Sequence, residues 1–314
     1  MSVASWKRRN HQSRTPAIIV HSRTVFAILL TFLLFIPTTQ VLGKREQDSG
    51  NVLLLEELTA TWCVFCAEID PQIVELQEVH AQRLITVTIH PPPGDVSDPL
   101  FNEAMRLRYQ YLGIEATRTP SFWLNGEFYG EGVVDVGELS SQVMTEEARS
   151  TSSSRMSMSS LSDGDSVTIS IQVLETDEAR NGTRVTVMMV ENIVELAKGV
   201  ASNGQTTFNN VLLNSISIDL DDEDSEPELG GIGWTITKNI QSPNGVEIEL
   251  ECNQTMDEDV FFIAIHESEN ESTTFGVVDT MATVIDADEN SDFWIWVVVS
   301  TLVLGIAIVI PSKK

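Results

Sequence analysis

Apolar residues are grouped along the chain in three distinct ways. Near residue 50, the run VLLLEEL (52–58) is almost continuous, which predicts a short strand buried on both faces, and LITVTIH (84–90) repeats the pattern. Between them Ile69, Ile73, Leu76 and Val79 recur at helical spacing, predicting a helix over 64–80. Pro91-Pro92-Pro93-Gly94 breaks the chain, and Leu100, Ala104, Leu107 and Tyr111 then mark a second helix over 99–112. Asn125-Gly126 between two short apolar stretches is a hairpin signal, and 135–149 closes the segment as a helix. The order βαβαββα over 50–149 is an α/β layout.

The second pattern is alternation. Seven of the eleven residues 150–160 are serine, which reads as a flexible linker. Beyond it Val167, Ile169, Ile171 and Val173 alternate with polar residues, and further strand signals follow at 184–191, 211–220, 232–240, 246–252, 260–266 and 275–285. About seven strands separated by turn residues predict a β-sandwich over 161–285. Cys252 shares the apolar face of Val246, Ile248 and Leu250 and is expected to be a buried free thiol.

The third pattern lies at the ends. VFAILLTFLLFIPTTQV (25–41) follows a basic stretch, so 1–43 reads as a basic leader with a signal peptide cleaved near Gly43, or as a retained signal anchor. FWIWVVVSTLVLGIAIVI (293–310) carries no charge over 18 residues, about 27 Å as a helix at ~1.5 Å per residue, and predicts a transmembrane helix at 293–311. Trp294 and Trp296 at its outer end and Lys313 and Lys314 in a cytoplasmic tail, 312–314, fit that orientation. The acidic run 286–292 would be a hydrated spacer.

Charge sharpens this picture. The net charge is −27, and residues 1–43 and 293–314 contain no acid and seven of the 19 bases. The middle, 44–292, therefore holds all 46 acids against 12 bases, a net of −34. Such a body repels phosphate backbones, which excludes nucleic acid as a partner. The expected location is the cell membrane, single-pass or two-pass, with 44–292 on the extracytoplasmic side. The sequons at Asn181, Asn253 and Asn270 would permit glycosylation of an exported chain.

The candidate chemistry sits in Trp62-Cys63-Val64-Phe65-Cys66. Placed at a helix start, Cys63 would meet free N–H groups and the helix dipole, which favour a thiolate by roughly 0.3–2 kcal/mol, about 0.2–1.5 pKa units. Glu56, Glu57, Glu68 and Asp70 oppose that acidification. Cys66 lies three residues on, one helical turn later, able to attack a mixed disulfide at Cys63. A zinc half-site would need further ligands, and the histidines are scattered. A permanently oxidised pair that merely staples the helix remains open. The acidic run 219–228, seven acids in ten residues, reads as a solvated loop or a loose Ca²⁺ binder without EF-hand spacing. His90, ending a strand before prolines, reads as a structural polar cap.

Residues 57–66, together with Thr119-Pro120 before the hairpin, resemble the thioredoxin fold. Leu55-Glu-Glu-Leu-Thr-Ala-Thr-Trp-Cys63 is similar to the opening of Omp28-like extracytoplasmic proteins, in which a thioredoxin-like domain precedes an immunoglobulin-like β-domain. The fold class expected on this basis is an α/β thioredoxin-like domain followed by an all-β immunoglobulin-like sandwich, with a C-terminal transmembrane helix. The resemblance implies a redox-active Cys63–Cys66 disulfide and a buried, proton-accepting Glu57. It also implies a cis proline at Thr119-Pro120 that docks substrate beside Cys63 and Trp62. Ala67 stands where such proteins usually carry proline, which would leave the helix without its usual kink. The expected function is a membrane-anchored thiol–disulfide oxidoreductase acting on protein thiols or disulfides, without cofactor or metal, and exchanging electrons with a partner the sequence does not identify. The alternative is a binding or adhesion module in which the disulfide is structural.

Overall fold

The computed structural model describes residues 40–47, 52–114, 118–149, 154–162, 166–176, 182–221, 224–242, 245–254 and 259–280. The two apolar runs near residue 50 form β2 (Leu53–Leu58) and β3 (Leu84–Ile89), paired in parallel with all twelve side chains buried. Burial on both faces is why they read as continuous rather than alternating. Between them runs α1 (Cys66–His80). Pro71 lies inside α1, so one i→i−4 hydrogen bond, to the Ala67 carbonyl, is lost by proline in a place other than the position of Ala67 itself. Next comes α2 (Glu103–Tyr111), capped by the Asn102 side chain, which accepts from the Met105 N–H at 3.1 Å.

The hairpin is β4 (Ser121–Leu124) and β5 (Glu127–Glu131), with Asn125 at φ 51° and Gly126 at φ 82°, the left-handed pair that a tight two-residue turn requires. Glycine is needed for a second reason: a Cβ at 126 would lie 1.7 Å from the Ser272 carbonyl oxygen. The turn also holds its neighbours, because Asn125 Oδ1 accepts from the Leu54 N–H at 2.9 Å. The segment ends in α3 (Val136–Arg149).

The remaining strands are β6 (Ser154–Ser162), β7 (Val167–Thr176), β8 (Thr183–Glu195), β9 (Thr207–Asp219), β10 (Glu228–Leu229), β11 (Trp234–Ser242), β12 (Gly245–Cys252), β13 (Val260–Ser268) and β14 (Thr274–Asp279). With β1 (Gln40–Gln47) they make a five-stranded sheet in the order β1-β6-β7-β12-β11. The others join β2–β5 in one nine-stranded sheet, in the order β14-β13-β8-β9-β3-β2-β4-β5 with β10 against β9. The seam is a parallel contact of Thr88 with Val211, reinforced by the Thr88 hydroxyl donating to the Asn209 carbonyl at 2.9 Å. The ends of this order also meet: the Thr274 N–H on β14 donates to the Asn125 carbonyl at 3.2 Å.

This corrects the expected fold class. An α/β domain does not simply precede a separate sandwich. Strands from both segments share one sheet, and the described residues are mostly β with three α-helices. One apolar core runs across the seam, from Leu54, Leu58 and Val87 to Met188, Val190 and Ile263, beneath Ala104 and Met105 of α2. On the opposite face, α1 and α3 cover Leu53, Leu55 and Phe122. The five-stranded sheet covers Val185, Val187, Ile216 and Phe262 on that face of the β8–β9–β13 region.

Among the described residues no helix is long and apolar enough to cross a membrane. The expected transmembrane helix at 293–311, the spacer 286–292, the tail 312–314 and leader residues 1–39 lie outside the described residues. The serine-rich stretch read as a linker is strand from Ser154 onward, because Met156 and Met158 alternate with small hydroxyl residues and bury one face against β7. The first strand begins within the segment read as a leader, and Gly43 pairs with Ser160.

A buried ion network ties α2 to both segments. Arg108 donates to Glu56 of β2 through Nη2 (2.8 Å) and to Glu267 of β13 through Nη1 (2.6 Å). Glu267 also accepts from Arg184 Nε at 3.0 Å and the Thr186 hydroxyl at 2.6 Å. Burial pushes the Glu267 carboxyl up, but Arg108, Arg184 and these hydrogen bonds outweigh it and hold the group below its ordinary value. Both guanidinium groups stack on the Tyr111 ring, with the carbons of Arg108 and Arg184 4.5 and 4.4 Å from its centroid. Arg108→Leu strands the buried Glu56 carboxylate, leaves Glu267 with Arg184 as its one cation, and should cost about 3–5 kcal/mol in chemical denaturation; wild-type stability in that variant would show that the network is not sealed from water.

Candidate active site

The loop between β2 and α1 carries the cysteines. It turns tightly, with the Cys63 N–H donating to the Ala60 carbonyl at 3.0 Å. The helix begins at Cys66, so Cys63 lies just ahead of it rather than in its first turn. Cys63 and Cys66 form a disulfide with their Cα atoms 5.3 Å apart. The Cys66 N–H points back at Cys63 Sγ, 3.0 Å away. That hydrogen bond would favour a thiolate at Cys63 once the disulfide is opened.

The two sulfurs are placed unequally. Cys63 keeps 5% of its surface and Cys66 none. Val64 and Phe65 between them are 64% and 58% exposed, an apolar pair in water beside the disulfide. Partly exposed Trp62 packs against Ala60 and the two cysteines. The Thr119-Pro120 bond is cis, and Cys63 Sγ lies 3.4 Å from the Thr119 carbonyl oxygen. Trp62, Cys63, Cys66, Thr119 and Pro120 are thus brought together from positions 53 to 58 residues apart in the chain.

Strand period separates the two adjacent glutamates. Glu56 points to the α2 face and is neutralised by Arg108. Glu57 points to the α1 face, fully buried, where it is hydrogen-bonded to Asp70 of α1. Burial raises the Glu57 carboxyl well above its ordinary range, and the Asp70 charge and hydrogen bond raise it further. Burial also raises Asp70, against hydrogen bonds from Gln205 and Thr59 and the influence of His90. Glu68, the fourth acid expected to oppose a thiolate, is exposed.

Several site residues have no signature in the sequence. Asn203, in the loop 196–206 between β8 and β9, donates its N–H to the Thr61 carbonyl (3.1 Å) and its amide to the Cys63 carbonyl (3.1 Å). Gln205 donates to Asp70 Oδ2 at 2.9 Å. His90 is fully buried, with Nδ1 3.1 Å from Asp98 Oδ2. That carboxylate accepts from the Thr61 N–H at 2.7 Å and the Thr61 hydroxyl at 3.1 Å, pinning the loop one residue before Trp62. Burial pushes Asp98 up, but His90 and the N–H groups of Thr61 and Leu100 outweigh it and hold it below its ordinary value. The sequence marks Asn203-Gly204 only as a turn, and Asp70 only by its helical spacing from Cys66.

Elsewhere, Cys252 is a free, fully buried thiol pushed up to about 11 by burial, too high to be a nucleophile near neutrality. Asn253 and Asn270 are exposed, and Asn181 lies outside the described residues. Among the described residues no group of three or more His, Cys, Asp or Glu is arranged to hold a metal ion.

No protein-family model matches the sequence, and no curated protein matches it. Among solved structures the chain is similar to HBP35 of Porphyromonas gingivalis, at 14% identity and a TM-score of 0.54, over 75% of this chain and 76% of that one. It is also similar to a structural-genomics protein from Agrobacterium tumefaciens, at 13% identity and a TM-score of 0.47, over 75% and 95% of the two chains. The fold around the Cys63–Cys66 disulfide is thioredoxin-like.

A raised carboxyl has a defined effect on folding. Between the usual carboxylate range and the raised value, the folded chain holds a proton at Glu57 that the unfolded chain has lost. Stability therefore falls as pH rises through that window. Glu57→Gln should flatten the decline, read as denaturation midpoints from mildly acidic to mildly alkaline pH. An unchanged slope would mean that Glu57 ionises freely in the folded chain.

Proposed function

We propose that the protein is a thiol–disulfide oxidoreductase acting on protein cysteines outside the cytoplasm. The observation that carries this reading is the unequal placement of the two cysteines: Cys63 keeps a little exposed surface, with its Sγ beside the Thr119 carbonyl, while Cys66 is fully buried with its N–H on Cys63 Sγ. In the reduced pair Cys63 is the attacking thiolate and Cys66 the resolving thiol. Cys63 takes one sulfur of a substrate disulfide and expels the other as a thiolate. Cys66 then attacks Cys63 Sγ, closes the internal disulfide and releases the second substrate thiol, its own proton passing to Glu57. A separate electron partner, itself a thiol or disulfide protein, must restore the starting state.

Exposed Val64 and Phe65, with Trp62, Thr119 and Pro120, would receive an extended substrate segment by its apolar side chains and backbone. The similarity of residues 55–63 to Omp28-like proteins belongs to this proposal. The extracytoplasmic location rests on the basic leader and the apolar run after it.

A second reading has one observation in its favour. Five per cent exposure at Cys63 is little, and a staple within a binding module would also be well covered. Two measurements on the full chain separate the readings. The oxidoreductase should reduce insulin in the presence of dithiol, and Cys63→Ser should bring the rate to background. A Cys63/Cys66 potential below about −300 mV, inert to glutathione, would mark a structural staple.

A further inference from the structure

The pair formed by Glu57 and Asp70 goes beyond a single buried proton acceptor. Asp70 is one helical turn after Cys66, on the same buried face of α1. Its carboxylate oxygens accept from the Thr59 hydroxyl at 3.2 and 3.3 Å and from Gln205 Nε2 at 2.9 Å. Glu57 Oε1 is buried, and among the described residues no donor reaches it. Glu57 and Asp70 line one small cavity, and two ionised carboxylates so placed out of water repel each other, which favours keeping one proton on the pair. Beside them is a cavity of about 10 Å³, bordered by Glu57, Thr59, Asp70, Thr88, Phe208 and Asn210, the size at which one water just fits.

We propose that Asp70 is the positioning residue that completes the proton-accepting site: Glu57 and Asp70 hold one proton between them and exchange it with Cys66, and Gln205, from the β8–β9 loop, sets how tightly it is held. This rests on the oxidoreductase reading and adds to it. In the opening direction a thiolate attacks Cys63 Sγ. A new S–S bond forms there, the Cys63–Cys66 bond breaks, and its electron pair goes to Cys66 Sγ, which takes the proton from the carboxyl pair. In the closing direction the Cys66 thiol returns that proton to the pair as its sulfur attacks Cys63 and expels the thiolate. The pair is left doubly charged after opening. Gln205 and Thr59 then stabilise the Asp70 charge by hydrogen bonds.

Among the described residues few other ionisable groups face this site. His90, at the end of β3, acts on Asp70 and is itself backed by Asp98. Cys66 lies one turn before Asp70 on α1. From β9 the neighbours are Asn209 and Asn210, and from β4 the residue opposite Glu57 is Phe122, all uncharged. Glu56 faces the other way, onto Arg108.

The test is the rate at which dithiothreitol opens the disulfide in the full chain, corrected for dithiothreitol thiolate and followed against pH. The wild-type rate should fall as pH rises and the carboxyl pair loses its proton. Asp70→Asn removes the neighbouring charge and should move this inflection to lower pH by about one unit or more. Gln205→Ala removes a donor to the Asp70 charge and should move it to higher pH by about one unit. Gln205→Glu, on an external loop, should move it further in the same direction. A general loss of packing would not shift the inflection in opposite directions. No inflection in the wild type, or shifts of both variants in the same direction or in neither, would overturn the proposal. If the shifts appear but no protein disulfide is exchanged, only the oxidoreductase reading fails. If protein disulfides are exchanged but the inflection does not move, only this inference fails.

Discussion

A guanidinium taken out of water is tolerated only where carboxylates replace the hydration it loses. Arg108 meets two, one from β2 and one from β13. In sheet order these strands are separated by β8, β9 and β3, yet one side chain reaches both. That is possible because β14 comes back against the Asn125-Gly126 hairpin at the far end of the order. A flat sheet would hold Glu56 and Glu267 too far apart, at ~4.8 Å per strand step. The ion network and the continuous core beneath α2 therefore require the same geometry. Once it forms, withdrawing either segment breaks the Arg108–Glu267 link between them and leaves Arg108 with Glu56 alone and Glu267 with Arg184 alone.

The same requirement fixes the electrostatics of the redox loop. Glu56 and Glu57 are neighbours in sequence, and the pleat sends them to opposite faces. One face offers Arg108, and Glu56 is neutralised there as an ion pair. The other offers Glu57 no cation among the described residues, and burial first, then the like charge of Asp70, push the Glu57 carboxyl well above its ordinary range. Two identical side chains, one residue apart, thus meet different surroundings after folding, a guanidinium on one face and a carboxyl on the other. The acidity of the chain as a whole says little about the surroundings of Cys63: Glu56 is cancelled, Glu68 is solvated, and Glu57 with Asp70 carries less charge than two free carboxylates.

Local pattern in the sequence was enough for the elements around the cysteines. VLLLEEL, LITVTIH, the helical spacing of Ile69, Ile73 and Leu76, and Asn125-Gly126 are all short-range signals, and each corresponds to an element in the structure. The thioredoxin-like resemblance alone placed Thr119-Pro120 beside Cys63. What could not be read was pairing between distant segments. Nothing in LITVTIH marks Thr88 as the seam with Val211, since a strand buried on both faces has the same sequence whether its neighbour is near or 120 residues away. Serine content disguised β6 for a different reason. A strand needs apolar residues on only one face, and Met156 and Met158 supply it while serine fills the other positions. A composition count sees the serines, whereas period two shows the methionines.

The loop 196–206 shows what the single sheet means for chemistry. A strand connection between β8 and β9 needs partners for its polar groups. Here Asn203 finds them in the carbonyls of Thr61 and Cys63, and Gln205 in the carboxylate of Asp70. On the other side of Thr61, Asp98 holds both its N–H and its hydroxyl. The cysteine loop is therefore clamped from two directions, by a residue of the thioredoxin-like segment and by residues of the β segment. A disulfide bonded in this way shares its surroundings with the second segment at the level of individual hydrogen bonds. Displacing β8 and β9 would release Asn203 and Gln205, free the carbonyl of Cys63 and remove a donor from Asp70 together. The β segment is for this reason part of the site's construction, and its packing against β3 is a condition of the state in which Cys63 and Cys66 are held.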